Sequence, residues 1–174
     1  MRYSYFMKQL VIIAHNLRSA HNVGSLLRTA EGMGVTELLL TGHTPFPPLA
    51  TDDPRLPHEQ IKLAKLINKT ALGAETTQPW RRVADIDAVL ADLTAGGYVI
   101  AGLEQADNSV ALPSFQVPDK LAVILGREVE GIEPELLQHC SVTLEIPMFG
   151  QKESFNVVQA AAMLMYHWRF IALT

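Results

Sequence analysis

The sequence predicts an α/β fold, a parallel sheet flanked by helices, and three observations carry that prediction. Short, nearly continuous apolar runs recur along the 174 residues, as in strands buried on both faces. Between them lie segments whose apolar residues follow helical spacing, several stopped by glycine. The two kinds of segment alternate from one end of the chain to the other, the signature of β-α-β units and not of separate layers.

Gln9 to Ala14 (QLVIIA) is the first strand. Val23, Leu26, Leu27, Ala30 and Met33 then place a helix that ends at Gly34, a residue suited to the left-handed stop of a helix. Glu37 to Leu40 is the second strand. From Thr41 to His58 the prolines Pro45, Pro47, Pro48, Pro54 and Pro57, with Asp52 and Asp53 among them, predict a long, stiff loop. A helix follows over Glu59 to Ile67, then an edge or middle strand near Trp80 to Val83. Ile86, Val89, Leu90 and Leu93 place another helix before Gly96-Gly97, and Tyr98 to Leu103 reads as a buried strand. Two further strands, Leu121 to Leu125 and Val142 to Ile146, each lead into a glycine-bearing loop, and a helix of small residues follows the second.

Composition narrows the function. A hydrophobic content of 48% and a charged content of 18% are those of an ordinary globular chain, read as one domain over residues 1–174 with no added RNA-binding domain. No run approaches the roughly eighteen apolar residues of a membrane span, and Met1 to Phe6 lacks a signal-peptide layout, so the cytoplasm is the expected compartment. The single cysteine, Cys140, excludes an internal disulfide and reads as a small buried residue. Six histidines without ligand spacing predict no metal site. A net charge of −4 argues against sequence-independent binding to long nucleic acid, though Arg18, Arg28, Arg127 and Lys152 could form a local basic patch.

Neither GxGxxG nor GxxxxGK[ST] occurs, so the usual dinucleotide and triphosphate cradles are missing, as is the Gly-x-Ser-x-Gly of many hydrolases. In parallel sheets ligands bind beyond the C-terminal ends of the strands. Leu103-Glu104, Leu125-Gly126 and Ile146-Pro147 stand at three such ends, where glycine admits a close approach to the backbone and apolar residues flank a flat ring such as adenine. Polar residues also cluster where the first helix begins: Asn16, Arg18 and Asn22, with Arg28 inside it. At 100° per residue, Asn22 and Arg28 would be about 240° apart on one helix. They converge only if Asn22 belongs to the irregular lead-in, where it would serve as an N-cap.

The segment Asn16 to Ala30 (NLRSAHNVGSLLRTA) resembles the first motif of the SpoU (TrmH-like) ribose 2′-O-methyltransferases. Leu125 to Gly131 (LGREVEG) is similar to their second motif, and Ile146-Pro147-Met148 with Ser154-Phe155-Asn156-Val157 to their third. The order and spacing match, and the resemblance covers nearly the whole chain. It implies a SPOUT fold, in which the C-terminal segment of the parallel sheet is threaded into a deep trefoil knot. It further implies S-adenosyl-L-methionine as methyl donor, an RNA substrate, either tRNA or rRNA, and a homodimer with the site near its interface. Position by position, the resemblance makes Asn22, Arg28, Glu128, Ser154 and Asn156 the catalytic set, and Leu103, Gly126, Ile146 and Phe155 the cofactor contacts. Arg18, Arg28, Arg127 and Lys152 are the expected RNA contacts. Arg127 and Val129 beside Glu128, Phe155 and Val158 depart from the family pattern; Arg127 either binds RNA phosphate or sits in solvent.

Overall fold

The computed structural model describes residues 8–171; Met1 to Phe6, read above for a signal peptide, lie outside that range. Seven strands form one sheet in the order β3-β2-β1-β6-β4-β7-β5, with every pairing parallel. They are β1 (Gln9–His15), β2 (Glu37–Thr41), β3 (Trp80–Val83), β4 (Val99–Leu103), β5 (Val110–Ala111), β6 (Lys120–Leu125) and β7 (Val142–Glu145). The helices are α1 (Ala20–Met33), α2 (Pro57–Ala71), α3 (Ile86–Ala95), α4 (Pro134–Leu137) and α5 (Val157–Tyr166).

The continuous apolar strands are covered on both sides. Leu10, Ile12 and Ala14 of β1 join residues of α1, α2 and α5 in one core cluster, whereas Val11 and Ile13 join residues of α3 and α4 in another. Side chains alternate across a strand, so one apolar run feeds two cores. Full burial of a leucine or isoleucine side chain contributes about 1.5–3 kcal/mol, which is why these runs define the centre of the sheet.

Local chemistry sets the helix ends. Ser19, in an extended conformation, caps α1 by accepting from the N–H of Asn22, and Gly34 closes it in the left-handed conformation. Arg169 donates to the carbonyls of Met33 (2.8 Å) and Gly34 (2.9 Å), placing a cation at the negative end of α1. Pro57 occupies the first turn of α2, so the last proline of the loop belongs to a helix that begins earlier and ends later than Glu59 to Ile67. Trp80–Val83 is an edge strand. Two elements lie outside the sequence expectation. Strand β5 is two residues long and pairs at the far edge with β7, and α4 is a single turn; neither is long enough to show a period. Beyond Tyr166 the chain continues as a π-helical turn, His167–Ile171, in which Trp168 is buried.

The long loop after β2 is irregular, as its prolines dictate, yet it is tightly held. Arg55 donates to the carbonyls of Phe46 (2.7 Å) and Pro47 (3.2 Å), pairs with Asp53, and lies 3.7 Å over the Phe46 ring. That guanidinium holds the Asp53 carboxyl well below the usual carboxylate range.

Candidate active site

Three strands that are neighbours in the sheet, β6, β4 and β7, end side by side; Gly102 stands opposite Ile124, and Leu103 opposite Leu144. Beyond them opens a cleft lined by Leu103, Gly126, Ile146 and Phe155, all four of the cofactor positions expected from sequence, and also by Arg127, Glu128 and Ser154. Its floor is apolar, from Leu125 and Leu144, and its rim is acidic, with Glu104, Glu130 and Glu145 joining Glu128.

Gly126 needs to be glycine for a reason different from the one the sequence suggests. A Cβ there would overlap the backbone of Gly131 and Ile132, so the space is taken by the chain and not left for a ligand. The N–H of Arg127 donates to the carbonyl of Gly131 (3.0 Å) and the N–H of Gly131 to that of Arg127 (3.2 Å), closing a tight loop. This loop presents Glu128 to the start of α1. The Glu128 carboxylate accepts from the backbone N–H groups of Arg18 (3.2 Å) and Ser19 (3.2 Å) and from Nδ2 of Asn22 (3.0 Å). No acidic residue lies in the first turn of α1, so Glu128 supplies from another segment the anion that a helix N-terminus favours. Burial pushes the Glu128 carboxyl up, but these donors outweigh it, and the group titrates below its ordinary value.

Asn22 continues the chain of contacts. Its Oδ1 accepts from Nδ2 of Asn156 (3.4 Å), while Oδ1 of Asn156 accepts from the N–H of Val158 (2.9 Å) and so caps α5. The path Glu128, Asn22, Asn156 thus joins the segments that begin after β1, β6 and β7. Ser154 is exposed on the lip of the cleft, two residues before this cap.

Other expected residues fall elsewhere. Asn22 is not the N-cap, since Ser19 fills that position, and it is helical; Arg28 therefore does not converge with it. Arg28 is exposed in a shallow groove between α1 and α2, beside Ser25, Thr29 and Thr70, and among the described residues it has no hydrogen-bond or ion-pair partner. The other three cations of the expected basic patch are each paired: Arg18 with Glu130 (2.8 Å), Arg127 with Glu133 (2.8 Å) and Lys152 with Glu153 (3.1 Å). Arg127 sits neither free in solvent nor unpaired. Glu133 also accepts from Asn16 Nδ2 (2.9 Å), which itself donates to Nε2 of His15 (2.9 Å). Burial lowers the His15 pKa, Glu133 opposing it. Cys140 is half-buried, and burial pushes its thiol up to about 11. Three residues that matter here were not among the site residues expected from sequence, although Glu104 stood at one of the three strand ends singled out. Ser19 carried the ordinary signal of an N-cap, Glu104 that of a polar residue at a strand end, and Glu133 none.

A seven-stranded parallel sheet with its cleft at the C-terminal strand ends, built from two glycine-bearing loops and a capped helix, defines a parallel α/β protein flanked by helices on both faces, with its ligand cleft at the strand ends. The chain belongs to the SpoU rRNA Methylase family, whose model matches residues 9–166. It is 31% identical over 160 residues to the 23S rRNA (guanosine-2′-O-)-methyltransferase RlmB of Neisseria meningitidis, a match covering 92% of this chain and 58% of that protein. The fold is shared with the AdoMet-bound rRNA methyltransferase of Sinorhizobium meliloti at a TM-score of 0.79 and 20% identity, over 97% of this chain and 59% of that one. It is shared also with the SpoU methyltransferase AviRb of Streptomyces viridochromogenes, solved with AdoMet, at a TM-score of 0.76 and 21% identity, over 99% and 64% of the two chains. The chain spans 56–58% of the length of the curated relatives it matches. Among the described residues no helix is long and apolar enough to cross a membrane.

Proposed function

We propose that the protein is an S-adenosyl-L-methionine-dependent methyltransferase that acts on a ribose 2′-hydroxyl of RNA, either tRNA or rRNA. The observation that carries this reading is the path from Glu128 through Asn22 to Asn156 at the lip of an apolar-floored, acid-rimmed cleft. The cleft suits the donor: Leu103, Ile146 and Phe155 would flank its adenine, and the surplus of carboxylates would favour its cationic end. Bound there, S-adenosyl-L-methionine supplies a methyl group on a good leaving group, so the protein's tasks are to position the ribose and assist loss of its proton. The two rim loops, 126–131 and 147–156, would be the crossing segments of a C-terminal trefoil knot, a reading supported by the family match and by their meeting around one cleft at the C-terminal ends of the strands.

Ser154 would orient the ribose and its phosphate by neutral hydrogen bonds, with Asn22 and Asn156 setting its position. Glu128 is the tie between loop and helix. Arg28 would stabilise the developing alkoxide or clamp the adjacent phosphate; a guanidinium does not give up its proton in proteins and is no general base. Because Arg28 faces away from Asn22 on its own helix, it would reach the ribose from a second copy of the chain. The homodimer is supported further by Tyr166, Phe170 and Ile171, apolar and half-exposed at the end of α5.

The test is transfer of labelled methyl to unmodified tRNA and rRNA pools, with mapping of alkali-resistant dinucleotides. Label in one pool, lost in Arg28→Ala while donor affinity stays within about twofold, is the expected result; undiminished turnover by that variant removes Arg28 from the mechanism. Absence of both donor binding and label would turn the reading toward a noncatalytic RNA-binding dimer.

A further inference from the structure

Of the four carboxylates on the cleft, two have assigned tasks: Glu128 is taken up by the start of α1, and Glu130 pairs with Arg18. Glu104 is different. It follows Leu103 directly at the end of β4 and is half-buried, with its Oε1 accepting from the N–H of Gln105 (3.0 Å) and its Oε2 from the N–H of Ile132 (3.0 Å). Among the described residues it has no cationic partner. A Cβ on Gly131 would overlap its Oε2, so glycine at that position makes room for the carboxylate to lie against the loop. Two backbone donors from different segments thus hold the group in one orientation, and each oxygen keeps a free lone-pair site.

From this we infer that Glu104 is a ligand-binding residue that accepts hydrogen bonds from a vicinal diol, the 2′- and 3′-hydroxyls of the donor's ribose. The inference rests on the donor-binding reading proposed above and adds to it the group that recognises the sugar. A fixed carboxylate offers two acceptor oxygens side by side, which suits two adjacent hydroxyl donors, and an acidic residue near a strand end serves ribose in the same way in other parallel α/β folds. Its place in the chain agrees. Leu103, the residue before it, lines the apolar slot that would flank the purine, so a sugar attached to that ring falls beside residue 104. Recognition of hydroxyls by a charged acceptor discriminates strongly against analogues that lack them, because the acceptor is then left without a donor.

The experiment is calorimetric titration of the wild-type protein and of Glu104→Gln with S-adenosylhomocysteine, its 2′-deoxy and 3′-deoxy analogues, and the analogue lacking the amino group. Wild type should bind each deoxy analogue about tenfold more weakly than the parent, and in Glu104→Gln that penalty should shrink to less than about twofold. Equal affinity of wild type for parent and deoxy analogues overturns the inference, and this comparison needs no variant to fold. So does a deoxy penalty that persists in Glu104→Gln, which would leave the residue only a brace between loops. A penalty that follows the amino group would assign Glu104 to the ammonium of the donor instead. If S-adenosylhomocysteine binds the wild type and only the diol dependence fails, the inference alone falls; if it does not bind, the donor-binding reading falls and takes the inference with it.

Discussion

Two regions beyond the C-terminal ends of the strands carry most of the irregular chain, and they solve the same problem differently. The proline-rich loop 42–56 is tied to the segment 14–17 at its start, through His43 and Thr44, and braces its remainder from within: Arg55 bridges Phe46, Pro47 and Asp53, and Asp53 accepts from the N–H of Leu49 (3.0 Å). The rim loops 126–131 and 147–156 are held by contacts to other segments. Glu128 reaches α1, Glu104 reaches Ile132, and Asn156 reaches Asn22, while Val129 and Phe149 stand almost fully exposed. A loop braced from within stabilises its own shape, whereas loops tied to one another hold a cleft open between them. Length and proline content distinguish neither case.

That contrast can be broken from the rim side with the largest effect. Glu128→Ala removes the acceptor shared by Arg18, Ser19 and Asn22, and it should lower methyl transfer by roughly 100-fold, because displacement of a positioning loop by about 1 Å is enough to do so. Stability measured by denaturant should fall by only about 1–3 kcal/mol. Activity that survives within a few-fold would mean that the three segments are held together by something else.

Breaking the other loop should give the opposite division. Arg55→Ala leaves two carbonyls without their donor and the Asp53 carboxylate without its cation, so a loss of about 2–4 kcal/mol is expected in denaturant unfolding, with methyl-donor affinity unchanged within about twofold. A marked fall in donor affinity at full folding would show that the two regions are coupled.

A smaller effect sharpens the role of charge at the rim. Glu128 titrates below its ordinary value of 4.5 in the folded chain, so the unfolded chain binds the proton more tightly. The stabilisation is therefore complete above 4.5 and lost as pH falls through the lower folded value. Wild type should lose more stability than Glu128→Gln on going from about pH 6 to about pH 4, read from thermal midpoints; parallel curves for the two proteins would deny Glu128 any linkage to folding. The smallest effect expected is at Cys140, remote from both loops. With its thiol raised to about 11, it should react with thiol reagents near pH 8 far more slowly than a free cysteine, and at the free rate once the chain is unfolded.

Much of the fold was legible because apolar pattern and stop signals act locally. The strands from Gln9, Glu37, Trp80, Tyr98, Leu121 and Val142 are found within about two residues of where pattern put them, as is usual for element ends. Strand β5 and helix α4 were not legible, since two and four residues carry no period and form only where neighbours already stand. At the site the positions lining the cleft could be named from motifs, but their connections could not. Asn22 read as a cap because asparagine caps well; the helix instead begins three residues earlier, where Ser19 accepts from the N–H of Asn22 itself. Arg127 read as a phosphate contact or a solvated side chain, and its tie to Glu133 depends on a one-turn helix with no sequence signal.

By itself, then, the sequence determined the parallel α/β class, the strand ends that border the cleft, and the family to which the chain belongs, because hydrophobic periodicity, glycine stops and motif spacing are properties of short segments. Tertiary structure alone decided that Glu128 faces the start of α1, that Arg28 points away from Asn22, and that Gly126 is filled by Gly131. Each of these depends on which loops meet across the sheet, and hydrogen bonds between residues more than a hundred positions apart leave no periodic trace in the chain.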